Sequence, residues 1–302
     1  MTFPVLNSTS APQILVVGET VIDLIESEGV TTEHVGGSPA NVALTLARLG
    51  HAVRFVTDLG HDVRGERARQ HLAISTVMVE SRSVQRTSTA HARLQPDGSA
   101  RYTFDISFAS QNVAPDNATH VHTGSIAAFL PPSSHVVEHL LRALPPEVTT
   151  SLDPNIRPAL IGDPAIAQKT FESLGRTIDI LKLSDEDASW LYPQDNLDGV
   201  LDRLLGLGAA LAVVTRGAEG MILASPLARV AVSAPKITVA DTVGAGDSAM
   251  GAIIDGALHL GLGNLGEASL ARIGRWATHI AGITTSRSGA NPPRRDEAVV
   301  EG

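Results

Sequence analysis

An aspartate that follows a glycine-rich turn, where a helical pattern begins, is the most informative feature of the sequence. Asp247 comes directly after Gly244, Ala245 and Gly246, and apolar residues then recur at helical spacing over residues 250–260. The first backbone N–H groups of a helix have no partners within the helix, and the helix dipole adds partial positive charge there. Because small residues let a ligand approach that backbone closely, the turn suits an anion such as a phosphate.

The carboxylate of Asp247 could take part in chemistry at this turn. Beside a transferring phosphoryl group, it could accept the proton of an attacking hydroxyl while the N–H groups stabilise the developing charge. The structural alternative is that Asp247 and Ser248 simply cap the helix. The turn does not match the P-loop pattern, since no Lys-Ser or Lys-Thr pair follows the last glycine.

Strand and helix patterns alternate along the chain and predict a layered α/β fold with a mostly parallel sheet. Residues 13–18 form a continuous apolar run that is typical of a strand buried on both faces. In the helix that follows, Ser38 is the predicted cap, Pro39 begins the helix and Gly50 ends it. Further strands are predicted over 51–60, 119–122, 149–152, 180–183 and 210–214, and helices over 134–143, 164–174, 185–192 and 195–207.

Two segments interrupt this alternation and predict a small inserted β-sheet. Residues 87–106 form two alternating runs joined by Pro96-Asp97-Gly98, which is typical of an antiparallel hairpin. A second extended segment lies at roughly residues 25–35, just before the first glycine pair. We interpret the two as a lid inserted at about residues 25–37 and 84–106. The alternative is a pair of edge strands on the main sheet.

Composition argues against several functional classes. The formal net charge is −9 and no Lys/Arg cluster is long enough to form a basic face, so a nucleic-acid partner is not expected. The absence of cysteine excludes disulfides, cysteine-liganded zinc and thiol catalysis. The eleven histidines show no metal-ligand spacing. No apolar stretch is long enough to span a bilayer and the N-terminus lacks signal-peptide features, so we expect a cytoplasmic protein without a membrane partner.

Two long motifs resemble the signatures of the PfkB (ribokinase-like) carbohydrate kinases. DTVGAGDS, residues 241–248, resembles the C-terminal signature, and GGSPANVALTLARLG, residues 36–50, resembles the N-terminal one. The similarity runs from about Ile14 to Pro293, in a kinase domain expected over residues 12–302. It implies a ribokinase-like three-layer fold with a central, mostly parallel, Rossmann-like sheet and a small inserted β-sheet lid.

The resemblance also implies roles for individual residues. Asp247 would be the catalytic base, and the N–H groups of Gly244, Ala245 and Gly246 would form an anion hole. Substrate contacts are expected from Asp23, Gly36, Gly37, Asn41 and Arg157. Nucleotide contacts are expected from Ser184, Thr215, Gly217, Gly220 and Asn291. Where many family members carry Asn-x-x-Glu, this chain has Ser-Asp-Glu-Asp at residues 184–187. The resemblance implies that Asp187 would act on magnesium indirectly, through water.

Simpler structural roles stay open for several of these residues. Asp23 could be an ordinary turn residue, and Asn41 could be a first-turn helix residue. Residues 214–220 could form a plain β-turn, and Arg157 could form a surface salt bridge rather than pair with a phosphate. Residues 184–187 could be the cap and first turn of the next helix, and Asp62 is expected to cap the helix that follows it.

The implied activity is transfer of the ATP γ-phosphate to the primary hydroxyl of a sugar, with Mg²⁺ and with K⁺ as a potential activator. GETVIDLI, DPNIRPAL and GANPP resemble the fructokinase branch, so D-fructose is the first expected substrate. 2-Keto-3-deoxygluconate, ribose and a nucleoside follow. The expected partners are the sugar and ATP, with homodimerisation through the lid as a further expectation.

Two alternatives come from other functional classes. A sensor of sugar or nucleotide could keep the fold without the chemistry, although it would have no need for Asp247. A dinucleotide-dependent oxidoreductase would need G-x-G-x-x-G directly after the first strand, where VVGETVID supplies a single glycine.

Overall fold

The computed structural model describes residues 3–4, 13–27, 30–94 and 100–299. The strands are β1 (Gln13–Val17), β2 (Val21–Ser27), β3 (Val30–Gly36), β4 (Ala52–Gly60), β5 (Met78–Val84), β6 (Thr89–Leu94), β7 (Ala100–Asp105), β8 (His120–Gly124), β9 (Thr149–Asp153), β10 (Ile180–Ser184), β11 (Leu211–Thr215), β12 (Met221–Ala224) and β13 (Arg229–Val232). The helices are α1 (Ser38–Arg48), α2 (Val63–Ala73), α3 (Ser133–Ala143), α4 (Pro158–Ile161), α5 (Pro164–Gly175), α6 (Asp185–Leu191), α7 (Leu197–Gly206), α8 (Ala245–Leu260) and α9 (Glu267–Thr285).

A nine-stranded sheet with the order β13-β12-β11-β10-β9-β8-β1-β4-β5 forms the centre of the fold. The strands from β11 to β5 run parallel to their neighbours, and β12 and β13 extend the sheet in antiparallel pairing. The predicted parallel core is confirmed. The short strands β12 and β13 and the edge strand β5 were not predicted, because their patterns are too brief or too polar to stand out.

Helices cover both faces of this sheet, which makes the predicted three layers. Successive side chains of a strand point to opposite faces. On β1, Ile14 and Val16 therefore join the core that contains residues of α1, α8 and α9. Leu15 and Val17 join a second core that contains residues of α3, α5, α6 and α7.

The remaining four strands form a small separate sheet with the order β3-β2-β6-β7. β2 pairs with β3 and β6 with β7 in antiparallel fashion, while β2 and β6 run parallel. The structure therefore has the predicted small sheet and not a pair of extra edge strands on the large one. The predicted turn at Pro96-Asp97-Gly98 lies outside the described residues.

The predicted cap of α1 is wrong. Gly37 occupies the N-cap position with φ of 103°, and no side chain caps this helix. The hydroxyl of Ser38 instead donates to the carboxylate of Asp247, at 2.6 Å. Ser38 is the first residue of α1 and not its cap, so its hydroxyl is available to donate to a charged carboxylate, which is a strong acceptor. Asp62 does cap α2, as predicted, by accepting from the backbone N–H of Gly65 at 2.8 Å.

α8 is fixed in place by a buried carboxylate in its middle. Asp255 is fully buried and accepts hydrogen bonds from His51 Nε2 at 2.8 Å, Trp276 Nε1 at 2.8 Å and Arg295 Nη2 at 2.5 Å. These partners come from the α1–β4 turn, from α9 and from the C-terminal segment. Since buried charges are stable only when they are paired and hydrogen-bonded, this cluster fixes the axis of α8 and therefore the position of its first turn.

No described helix combines the length and the apolar character that a membrane span requires.

Two buried histidines on β8 lie beneath α1 and α8. His120 Nε2 and His122 Nδ1 both bond the hydroxyl of Ser151, at 2.8 and 2.9 Å. Burial, with a smaller contribution from neighbouring basic side chains, lowers the pKa of each imidazole from 6.5 to about 3. Both side chains are therefore neutral in the folded protein at neutral and mildly acidic pH.

These histidines predict an acid-sensitive fold. Below about pH 6.5 the unfolded chain binds protons that the folded chain does not, so each histidine lowers the free energy of unfolding by about 1.4 kcal/mol per pH unit. The double variant His120→Gln, His122→Gln should therefore lose less thermal stability between about pH 7.5 and pH 5 than the parent. Melting curves at both pH values test this, with the exposed His135→Gln as control. Equal losses in the parent and the double variant would contradict it.

Candidate active site

The carboxyl ends of the parallel strands meet at one edge of the large sheet, and most of the predicted site residues lie there. In open α/β sheets this edge is the usual ligand-binding position. The small sheet leaves the core at the same edge, because β2 begins shortly after β1 and β3 leads directly into α1. A cleft between the two sheets is therefore the candidate site.

The turn before α8 adopts the conformation that its glycines allow. Gly244 has φ of 76°, in the left-handed region, and no side chain caps the helix. A Cβ at Gly244 would lie 2.6 Å from the Cβ of Ala290, so the C-terminal loop packs directly against this turn. The N–H of Ala245 donates to Thr242 at 3.3 Å, whereas Gly246 is exposed. The exposed N-terminus of α8 is suited to an anion.

Asp247 is the residue on which the two sequence motifs converge. Its side chain is 7% exposed and accepts hydrogen bonds from Ser38 Oγ at 2.6 Å and from Asn41 Nδ2 at 2.7 Å. Asn155 Nδ2 lies 3.5 Å from the same carboxylate. The capping alternative is not what the structure shows, since Asp247 caps no backbone N–H of α8 and Ser248 Oγ donates to a carbonyl. The carboxylate is oriented by side chains of other elements.

Asp23 lies on β2, beside the glycine pair that joins the small sheet to α1. A Cβ on Gly36 would lie 2.1 Å from Asp23 Oδ2, and one on Gly37 would lie 2.7 Å from the carbonyl of Glu19. Both glycines therefore leave room for neighbouring acceptors. Burial raises the pKa of Asp23 to about 6, with the guanidinium of Arg157 opposing the shift. Asp23 is thus a half-buried acceptor and not an exposed turn residue.

Arg157 lies after β9, where its exposed side chain organises a tight turn. Its Nη1 donates to Asn155 Oδ1 at 2.7 Å and to the carbonyl of Ile156 at 3.1 Å. Asn155 adopts φ of 37°, in the left-handed region, and its amide group points to Asp247. The turn thus brings an arginine and an amide to the side of the carboxylate.

Ser184 and Asp187 form a reciprocal capping box at the start of α6, which is the structural role left open for them. Ser184 Oγ accepts from the N–H of Asp187 at 2.9 Å, and the Asp187 carboxylate accepts from the N–H groups of Ser184 and Ile156, at 3.1 and 2.8 Å. Its carboxylate is thus occupied by backbone donors. Among the described residues, no group of three or more His, Asp or Glu side chains could hold a metal ion. The indirect role of Asp187 toward magnesium stays a prediction.

Of the remaining predicted nucleotide residues, three lie at the end of β11 or just after it, and Asn291 lies in the C-terminal loop. Thr215 ends β11, and Gly217 and Gly220 adopt φ of 49° and 95° in the one-turn segment that follows. Asn291 is exposed, and its Oδ1 accepts from Arg48 Nη1 at 2.6 Å, near the end of α1. Asn291 is therefore held by α1, while Ala290 is the residue of that loop that touches the turn before α8.

Two buried charged groups at this edge were not predicted as site residues. Glu19 lies two residues after the end of β1 and accepts from the N–H of Ala127 at 3.1 Å, and burial raises its pKa to about 7. Lys182 lies in the middle of the buried strand β10 and pairs with Asp153 at 2.6 Å. Both could have been found from sequence, because an ionisable residue within or directly after a run of buried apolar residues requires a partner.

Comparison with known proteins identifies the family. The sequence profile of the pfkB family carbohydrate kinases matches residues 11–297. The chain belongs to this family. A fructokinase from Rhizobium leguminosarum bv. trifolii is 32% identical over 249 residues, which cover 78% of this chain and 76% of the relative. A probable fructokinase-4 from Arabidopsis thaliana is 30% identical, with 94% of each chain covered.

Solved structures of sugar kinases share the fold. A fructokinase from Vibrio cholerae O395, with fructose, ADP and calcium ion bound, has a TM-score of 0.79 at 27% identity, over 93% of this chain and 95% of that one. A double mutant of that protein, with fructose, ADP and potassium ion bound, has a TM-score of 0.80 over 93% and 94% of the two chains, at 27% identity. The chain is therefore a carbohydrate kinase with the predicted fold.

The contact between Gly36 and Asp23 predicts a selective defect. In Gly36→Ala the added methyl group would displace the Asp23 carboxylate. We therefore expect the KM for the sugar to rise at least about tenfold, because roughly one hydrogen bond to a charged group is lost. Steady-state kinetics measure this. Gly206→Ala is the matched control, because a Cβ there meets no atom within 4 Å. Equal KM values in the two variants would show that the Asp23 position does not matter.

Proposed function

We propose that the protein transfers the γ-phosphoryl group of Mg-ATP to the primary hydroxyl of D-fructose, forming fructose 6-phosphate and ADP. The observation that carries the proposal is the Asp247 carboxylate, held by Ser38 and Asn41 at the uncapped N-terminus of α8. In this proposal the base and the anion site lie side by side. Fructose and ADP bound to the Vibrio cholerae O395 fructokinase support the choice of substrates.

In this proposal Asp247 is the general base. Its carboxylate accepts the hydroxyl proton as the sugar oxygen bonds to the γ-phosphorus, and the bond from that phosphorus to the ADP oxygen breaks. The N–H groups of Gly244 and Gly246, and that of Ala245 once it leaves its 3.3 Å hydrogen bond to the Thr242 carbonyl, stabilise the negative charge that develops on the phosphoryl oxygens. The hydrogen bonds from Ser38 and Asn41 hold the carboxylate in one orientation, so no reorganisation is needed when the proton moves.

The sugar is proposed to lie between Asp247 and the small sheet. Asp23 accepts from its hydroxyls, while Asn41 supports Asp247 and Arg157 borders the cleft through the turn at Asn155. A sugar carries donors and acceptors on neighbouring carbons, so a few fixed polar groups can select it. Thr215, Gly217, Gly220 and Ser184 border the space left for ATP. Asn291 is held by Arg48, and a contact from this residue to the nucleotide stays a prediction.

The small sheet is proposed to act as a lid that excludes water, because water at the position of the sugar would hydrolyse ATP unproductively. β3 is already tied to the core, since Glu33 accepts from Arg64 at 2.7 Å and from Arg67 at 2.9 Å on α2. Homodimerisation through this sheet, activation by K⁺ and a cytoplasmic location stay predictions.

Replacing the base tests the mechanism. Asp247→Asn keeps the shape of the side chain but cannot accept the proton, so we expect kcat to fall by about 10²–10⁴-fold. The dissociation constant of the sugar, measured by calorimetry, should stay unchanged. Asp202→Asn is the control, because this exposed residue on α7 forms only a surface ion pair with Arg229. Near-parental turnover in Asp247→Asn at saturating substrates would refute the assignment of the base.

A panel of acceptors tests the substrate. When ADP release is measured, kcat/KM should be highest with D-fructose, followed by 2-keto-3-deoxygluconate, ribose and a nucleoside. Higher kcat/KM for another acceptor would replace fructose while keeping the mechanism. If no acceptor causes ADP release although the protein still binds sugar and ATP, the sensor alternative would be supported.

A further inference from the structure

A buried ion pair lies behind the candidate phosphate site and has no part in the mechanism described so far. Lys182 Nζ lies 2.6 Å from Asp153 Oδ2, and the two side chains are only 3% and 1% exposed. They belong to the neighbouring strands β10 and β9. The other carboxylate oxygen, Asp153 Oδ1, is buried and has no hydrogen-bond partner. The pair is therefore fully removed from solvent yet incompletely satisfied.

This pair lies against the first turn of α8. A Cβ on Gly246 would lie 3.8 Å from Lys182 Nζ, so the ammonium group lies directly behind the proposed anion hole. The same ammonium interacts electrostatically with three carboxylates, Asp153 on β9, Asp187 on α6 and Asp247 on α8. The imidazole of His122 on β8 also faces it but is neutral, because burial lowers its pKa to about 3. One buried cation thus faces three anions.

Negative charge is in excess around Lys182, and the pKa values of Lys182 and Asp153 are both raised. The pKa of Asp153 is raised to about 6, mainly by burial and partly by the neighbouring Asp187 and Asp247, while Lys182 opposes the shift. For Lys182, burial favours the neutral form, but the attraction of the three carboxylates outweighs it and raises the pKa. Lys182 therefore remains charged.

Stability alone gives a weak reason for this arrangement. The desolvation of a buried ion pair often cancels its Coulombic attraction, and well-packed apolar residues of similar volume are commonly as stable. A lysine beside an anion site and a carboxylate base has an electrostatic use, because charges interact more strongly in a dry interior than in water.

We propose that Lys182 is a positioning residue for phosphoryl transfer, whose buried ammonium group lies behind the first turn of α8 and balances the charge of the Asp247 carboxylate. Asp153 holds the ammonium in place and sets how much of its charge Asp247 experiences. The inference rests on the proposed function, since it assigns Lys182 a role through the base of that reaction.

Two variants with opposite expected effects test the proposal. Lys182→Met removes the positive charge at similar volume, so the acid limb of the kcat profile should move to higher pH by roughly one unit. Asp153→Asn removes a negative charge near Asp247, so the same limb should move to lower pH. Asp23 also faces Asp247 and is unchanged in both variants. The double variant should lie close to the parent, as charges of opposite sign are then removed together.

A merely structural role predicts a different pattern. Both single variants would then lose stability and turnover without moving the acid limb in opposite directions, and that result would overturn the proposal. Circular dichroism and melting curves establish that each variant folds. If Lys182→Met does not fold, a shift to lower pH in Asp153→Asn supports the proposal and an unshifted limb overturns it.

The parent protein separates this inference from the proposed function. Sugar-dependent ADP release by the parent supports the function, after which the pH profiles of the variants decide the role of Lys182. Parental protein without sugar-dependent ADP release would overturn both. Parental turnover with unshifted limbs in the folded variants would overturn the role of Lys182 alone.

Discussion

The placement of one carboxylate depends on contact between two distant parts of the chain. Asp247 lies in the first turn of α8, and the donors that orient it, Ser38 and Asn41, belong to the first turn of α1. This contact requires α1 and α8 to pack side by side on one face of the large sheet. The buried cluster around Asp255 fixes the middle of α8, so the fold as a whole positions the candidate base.

Charge in this cleft is arranged in a way that suits phosphoryl transfer. The exposed N-terminus of α8 supplies partial positive charge, and the buried Lys182 lies behind it. Four carboxylates, those of Asp23, Asp153, Asp187 and Asp247, surround this region. Burial raises the pKa of Asp23 and of Asp153 to about 6 each, so these two carboxyl groups are partly protonated at mildly acidic pH. As the pH falls, the charge of the cleft should therefore change before the carboxylates of most surface ion pairs are protonated.

Local sequence patterns predicted most elements of the fold, because apolar periodicity and glycine turns report directly on strands, helices and their ends. The turn at residues 244–246 and Asp247 were predicted together for the same reason. The role of Ser38 was not predicted, since a serine before a helix is typical of a cap. The contact between Ser38 and Asp247 depends on tertiary packing alone. Lys182 was missed because its partners come from other elements, although a lysine within the apolar strand β10 signals a buried charge.

The most direct test of this account is a crystal structure of the chain with D-fructose and a non-hydrolysable ATP analogue. The account predicts the primary hydroxyl oxygen of the sugar within about 2.6–3.2 Å of an Asp247 carboxylate oxygen, with the γ-phosphate at the first turn of α8. It would be contradicted by a fully occupied cleft in which the primary hydroxyl points away from Asp247 or the phosphate lies away from that turn.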